Sequence, residues 1–121
     1  MKRVRLSDIS PFSGRDKCET FELVGKDAAI ERREYSVAKT IVPPRTEATQ
    51  HFHEHTEELY VVTGGVGTIV VDGKSIDVSA GDTVLIEVGE RHFAMSNSDS
   101  GLEFLAISFP AYDSADFLVE D

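Results

Sequence analysis

The segment HFHEHTEELYVVTGG, His51–Gly65, holds three of the chain's four histidines at alternate positions, then two glutamates, then an apolar run closed by two glycines. Alternate residues of an extended strand project to one face. Read as a strand, ATQHFH (48–53) puts Thr49, His51 and His53 together and sends Gln50 and Phe52 to the other face. EHTE (54–57) has the length and polarity of a connection, so Glu58 opens the next strand and returns toward the two histidines. His55 and Glu57 then fall in or beside a loop, where a histidine is ordinarily a surface residue. Position 58 has the opposite parity to 51, 53 and 55, which argues against one uninterrupted strand carrying all four.

Short β runs extend in both directions from this segment. TFELV (20–24), REYSVAKTIV (33–42), ELYVVT (58–63), GTIVVD (67–72), KSIDVS (74–79), TVLIEV (83–88), RHFAMS (91–96) and LEFLAISF (102–109) all read as strands. Most are enriched in β-branched and aromatic residues. The Asp72-Gly73 pair between two runs is a hairpin signal. AGD (80–82), GE (89–90) and NSDSG (97–101) supply further turns, and Pro43-Pro44 marks a bend. DSADFLVE, near the end, predicts a short helical turn with Asp113 or Ser114 as N-cap. LYVV, TIVV and VLI are apolar at both parities, so both faces of those strands are covered. The expectation is an all-β chain of two packed sheets or a small closed barrel.

At 121 residues and 40% hydrophobic composition, the chain suits one domain, residues 1–121, with an ordinary core. The net charge of -10, from 22 acids against 12 Lys and Arg, opposes nucleic-acid binding and an anionic membrane surface. No apolar run approaches the roughly 20 residues of a membrane span. MKRVRLSDIS has no apolar segment behind its basic start, so the expected compartment is the cytoplasm. Cys18 is the single cysteine, which excludes an intrachain disulfide and suggests a small buried hydrophobe.

The chemistry concentrates on the histidines. His92 starts a distant strand after the VGER turn. Imidazole and carboxylate suit a divalent first-row metal. Two histidines on one strand, a glutamate on the next and His92 could supply four ligands. An octahedral ion held by them keeps two positions for water, dioxygen or a chelating substrate. A closed structural zinc site would call for more cysteine. Residues sharing parity with these four, or walling the space beside them, are pocket candidates: Thr49, Tyr60, Ser96 and Phe104. Tyr60 is the candidate catalytic group, as an acid or hydrogen-bond donor. Arg45 and Arg91 flank strand ends; each could fork onto an anionic ligand, though arginine there is ordinarily solvent-facing.

These residues resemble the paired motifs of the cupins. The first cupin motif is G(X)5HXH(X)3,4E(X)6G; His51, His53, Glu58 and Gly65 satisfy it, with Arg45 in place of the first glycine. The alternative spacing uses Glu57 and Gly64, and Glu58 aligns better with the strand and turn that follow. The second motif is G(X)5PXG(X)2H(X)3N; Gly81, Gly89 and His92 match, Glu87 stands for the proline, and Ser96 for the asparagine, which falls one place late at Asn97. The resemblance implies an antiparallel double-stranded β-helix, or jelly-roll barrel, with its core over about 40–109. N-terminal strands, about 3–37, would pack on it or pair across a homodimer. It implies His51, His53, Glu58 and His92 as ligands of one divalent transition metal per chain: Fe, Mn, Ni, Co or Zn. The implied function is metal-dependent catalysis on a small chelating metabolite, of oxygenase, isomerase, decarboxylase or lyase type. The alternative is a non-catalytic module that binds or senses a small molecule or sugar. A sugar-phosphate substrate fits less well, because no clear basic cluster is present to hold a phosphate.

Overall fold

The computed structural model describes residues 1–120. The strands are β1 (Phe12–Ser13), β2 (Glu19–Gly25), β3 (Ile30–Glu31), β4 (Ser36–Val42), β5 (Thr46–Glu47), β6 (Glu57–Val71), β7 (Lys74–Ser79), β8 (Thr83–Ile86), β9 (His92–Ser96) and β10 (Leu102–Phe109). Their spatial order is β1-β2-β4-β10-β6-β9-β5, with β3 beside β2 and with β7 and β8 beside β6. Every pairing is antiparallel except β2 with β3. The sheet curls into an antiparallel double-stranded β-helix barrel. No helix among the described residues is long and apolar enough to cross a membrane.

The curl depends on β6. Its first half, Glu58–Val61, lies between β8 and β10, and its second half, Thr68–Val71, lies between β7 and β9. The sequence pattern suggests two strands here, divided at the glycines. The structure instead has one strand of 15 residues that passes from one sheet to the other. Gly65 lets it bend without breaking: its φ is +72, and a Cβ there would sit 2.1 Å from the Gly101 carbonyl oxygen. The glycine therefore serves close backbone approach rather than a chain reversal. The reversal comes later, at Asp72 (φ 47) and Gly73 (φ 81), the two positive angles that a two-residue hairpin favours. It sets the register Val71↔Lys74 between β6 and β7.

The predicted strand 48–53 is shorter and displaced. Only Thr46–Glu47 forms a ladder, against β9, and the chain then runs on through single bridges. His51 exchanges backbone hydrogen bonds of 3.0 and 2.9 Å with His92. Phe52 does the same with Leu118, at 3.0 Å each way. The segment crosses from one partner to another, so no continuous ladder can form.

Inward-facing residues alternate along the strands, as in Glu58, Tyr60 and Val62 of β6. Val42, Ile69 and Leu102 are fully buried at the centre. Burying each stabilises the fold by about 1.5–3 kcal/mol. Cys18 joins this core, and burial, then the charge of Asp16, pushes its thiol up to about 12, so it stays protonated and packs as a small hydrophobe. The C-terminal helical turn is a 3-10 turn, Ser114–Asp116, capped as expected by Asp113, whose carboxylate accepts the Ala115 N–H at 2.9 Å.

Candidate metal centre

The barrel brings together the four residues that the motif spacing nominates. One donor atom from each of His51, His53, Glu58 and His92 lies within 4.8 Å of all the others, and all four side chains are buried. His51 and His53 arrive on the bridged segment, Glu58 on the start of β6, and His92 on the start of β9. Glu57, the alternative carboxylate, is exposed, and so is His55.

The backbone sets how the rings face. Nδ1 of His51 donates to the Thr49 carbonyl at 3.0 Å, Nδ1 of His53 to the Asp116 carbonyl at 2.7 Å, and Nδ1 of His92 to the Glu90 carbonyl at 2.8 Å. A carbonyl only accepts, so each neutral ring carries its proton on Nδ1 and presents a bare Nε2. Nε2 of His53 and of His92 lie 3.0 and 3.3 Å from Glu58 Oε1. Despite these distances all three atoms are buried without a hydrogen-bond partner among the described residues. Converging unpaired acceptors are costly in a dry interior. A shared cation removes that cost, and three imidazoles with one carboxylate form a suitable donor set for a divalent transition metal. The second carboxylate oxygen, Oε2, accepts from Ser108 Oγ at 3.2 Å, which holds the group in place.

The electrostatics favour positive charge at that point. Burial alone would raise the Glu58 pKa; once a proton sits on Nε2 of His53 or His92, hydrogen bonding and charge from these rings outweigh it and hold the carboxyl well below its usual range. Burial, then the neighbouring His92 charge, lowers His51 to about 3, so this ring stays neutral and ready to coordinate. Burial also pulls His53 down, but the bond and charge of Glu58 and the Asp116 carbonyl overcome it, and the net direction is up.

The cluster opens into a cavity of about 90 Å³, room for several waters or one small organic molecule. Tyr60 and Phe104 both line it, stacked at 4.4 Å. Burial, then the Glu58 charge, raises the Tyr60 hydroxyl well above its usual range, so it is a phenol. Thr49 and Ser96, the other two pocket candidates, are not among the lining residues. Thr49 contributes its carbonyl to His51 instead. Ser96 lies at the far end of β9 from His92, and its hydroxyl turns to the Ser98 backbone. Arg45 and Arg91 are also outside the lining, engaged by Asp99 and Glu120.

Sequence reading missed the C-terminal cover. Phe117 stacks on His51 with ring centroids 4.1 Å apart. The Asp116 carboxylate accepts the backbone N–H groups of Glu54 and His55 at 2.8 and 3.0 Å, while its carbonyl orients His53. No local pattern in DSADFL marks this role; the only legible signal is the cap at Asp113. Asp116→Ala is expected to cost about 1–3 kcal/mol of stability, because two backbone donors lose a shared, part-buried acceptor. Metal affinity should fall about 10–100-fold as the HFHEH segment loosens. Metal titration followed by thermal melts checks both. His55→Ala is expected to leave metal content unchanged, since that side chain is exposed; a chain emptied of metal by this change would shift the ligand set to His53 and His55.

A curled antiparallel barrel with a three-histidine, one-glutamate cluster at its mouth defines a class of small β-barrel proteins suited to metal binding. This chain belongs to the cupin family: the Cupin domain model matches residues 38–108. An oxalate-binding protein of Thermotoga maritima is 30% identical over 110 residues, covering 86% of this chain and 90% of the relative. Among solved structures, a predicted oxalate decarboxylase from Thermotoga maritima superposes with a TM-score of 0.78 at 28% identity, covering 90% of this chain and 99% of the other. A conserved protein with a double-stranded beta-helix domain from Klebsiella pneumoniae has a TM-score of 0.73 at 20% identity, over 100% of this chain and 99% of the other, a likeness of fold alone.

Proposed function

We propose that this cupin holds one divalent transition metal on His51, His53, Glu58 and His92 and uses it to take up a small chelating organic acid of the oxalate type. The observation that carries the metal is the set of buried, unpartnered acceptors, His53 Nε2, His92 Nε2 and Glu58 Oε1, aimed at one point. Size and kinship support the ligand class. The cavity of about 90 Å³ admits only a small molecule, and a relative aligned over most of the chain is an oxalate-binding protein.

Bound there, a metal would supply a Lewis acid beside the cavity. The chain's own residues do the rest. The three Nδ1 bonds orient the imidazoles before any ligand arrives, and Ser108 holds the carboxylate. Tyr60 and Phe104 exclude water from one wall, and the Tyr60 phenol, protonated at neutral pH, offers a hydrogen-bond donor to the ligand. We assign turnover of the bound acid, with Tyr60 as its proton donor, as the enzymatic form of this reading, and simple capture as the alternative. The test is calorimetry with oxalate on metal-free protein and on protein loaded with Mn, Fe, Co, Ni or Zn, followed by product analysis. Binding that requires a metal supports the proposal, and product accumulation selects the enzyme. Equal binding with and without metal would refute it.

A further inference from the structure

We propose that Arg15 sets ligand specificity, its guanidinium taking the part of a small organic anion that faces away from the metal. This rests on the chelation reading above and adds the residue that selects charge. Arg15 is the one lining residue with a permanent positive charge, in a wall that otherwise carries the carboxyls of Asp16, Glu22 and Glu58. Without it, the cavity beyond the metal would repel an anion.

The guanidinium is held from one side. Nη2 donates to the Ser114 and Phe117 carbonyls at 3.2 and 2.7 Å. The group also lies over the Phe117 ring, with Cζ 4.6 Å from the centroid. That same ring stacks on His51 at 4.1 Å. The metal ligand and the guanidinium thus both pack on one aromatic ring, and Arg15, His51 and Phe117 all line the same cavity. Nε and Nη1 have no hydrogen-bond partner among the described residues, which leaves their N–H groups free to donate singly to an anion. Arg45 and Arg91 cannot take this role, because each is paired with an acid away from the cavity.

A purely structural role would be to latch the loop around Arg15 to the C-terminal segment. The test separates the two by using ligands that differ in charge. Metal-loaded wild type, Arg15→Gln and Arg15→Lys are titrated with oxalate and with imidazole, a neutral ligand for the metal. In Arg15→Gln the dissociation constant for oxalate is expected to rise about 10–100-fold. Imidazole affinity should stay within about twofold, since it needs the metal and not the guanidinium charge. Arg15→Lys keeps the charge and loses the planar guanidinium with its several donors, so a loss of about three- to tenfold for oxalate is expected; it serves as the test if the glutamine variant fails to fold. Wild-type oxalate affinity in the variant that folds would overturn the proposal. So would equal weakening of both ligands, which marks a latch. If metal-loaded wild type takes imidazole and not oxalate, the chelation reading itself falls and this assignment falls with it.

Discussion

His92→Ala is expected to leave the protein without stoichiometric metal. The ring is fully buried, its Nδ1 is held by the Glu90 carbonyl at 2.8 Å, and its Nε2 stands 3.3 Å from Glu58 Oε1. No other histidine can replace it: His51 and His53 already contribute, and His55 is exposed. The backbone bridge between His92 and His51 does not depend on the side chain, so the barrel should persist. Elemental analysis of protein purified without a histidine tag should find about one metal per wild-type chain and a small fraction of that in the variant. Thermal melts give a second readout. At a free metal concentration a hundred times the dissociation constant, wild type gains about 2.7 kcal/mol, and the variant gains close to nothing. A full equivalent of metal retained by His92→Ala would remove it from the ligand set.

Gly65→Ala should produce the largest loss of stability from a single methyl group. The new Cβ would meet the Gly101 carbonyl oxygen at 2.1 Å, a contact with backbone that no side-chain rotation relieves. The φ of +72 adds left-handed strain for a residue with a Cβ. The expected cost is about 3 kcal/mol or more, or a fall in melting temperature of about 10 °C or more. Gly73→Ala is the matched control: its φ is +81, but nothing lies within 4 Å of the added atom. That change should cost only about 1 kcal/mol. Equal losses in the two variants would show that φ alone, and not the packing of β6 under Gly101, is responsible. Metal content of the surviving fold should stay near wild type, because Glu58 lies on the other half of β6 from the bend.

Much of this molecule is legible from residue order. LEFLAISF and KSIDVS are strands over the ranges that their patterns indicate, and the Asp72-Gly73 hairpin has the φ angles that its residue types favour. Local period and local turn chemistry are enough for these, because neither needs a distant partner. The GGVG stretch was harder to read. Glycine signals a turn and a close approach equally well, and only the presence of Gly101 against Gly65 decides between them. The run 48–53 shows the opposite limit. Its alternation places His51 and His53 together, yet it forms bridges to two different partners in place of one strand, and Thr49 meets His51 through its backbone carbonyl rather than lining the cavity.

His51, His53 and Glu58 announce themselves by spacing, since two alternate imidazoles followed by a returning carboxylate is a short-range geometry. His92 is nominated by its residue type and by the second motif, and its place in the cluster depends on the pairing of β9 with β6. The direction in which the imidazoles point is set by carbonyls at Thr49, Asp116 and Glu90, and Asp116 is 63 residues from the ring that it orients. Arg15 reaches Phe117 across 102 residues. Such contacts follow no period and carry no composition signal. They exist because the closed barrel brings its two chain ends over the same mouth, and packing alone decides which side chains meet there.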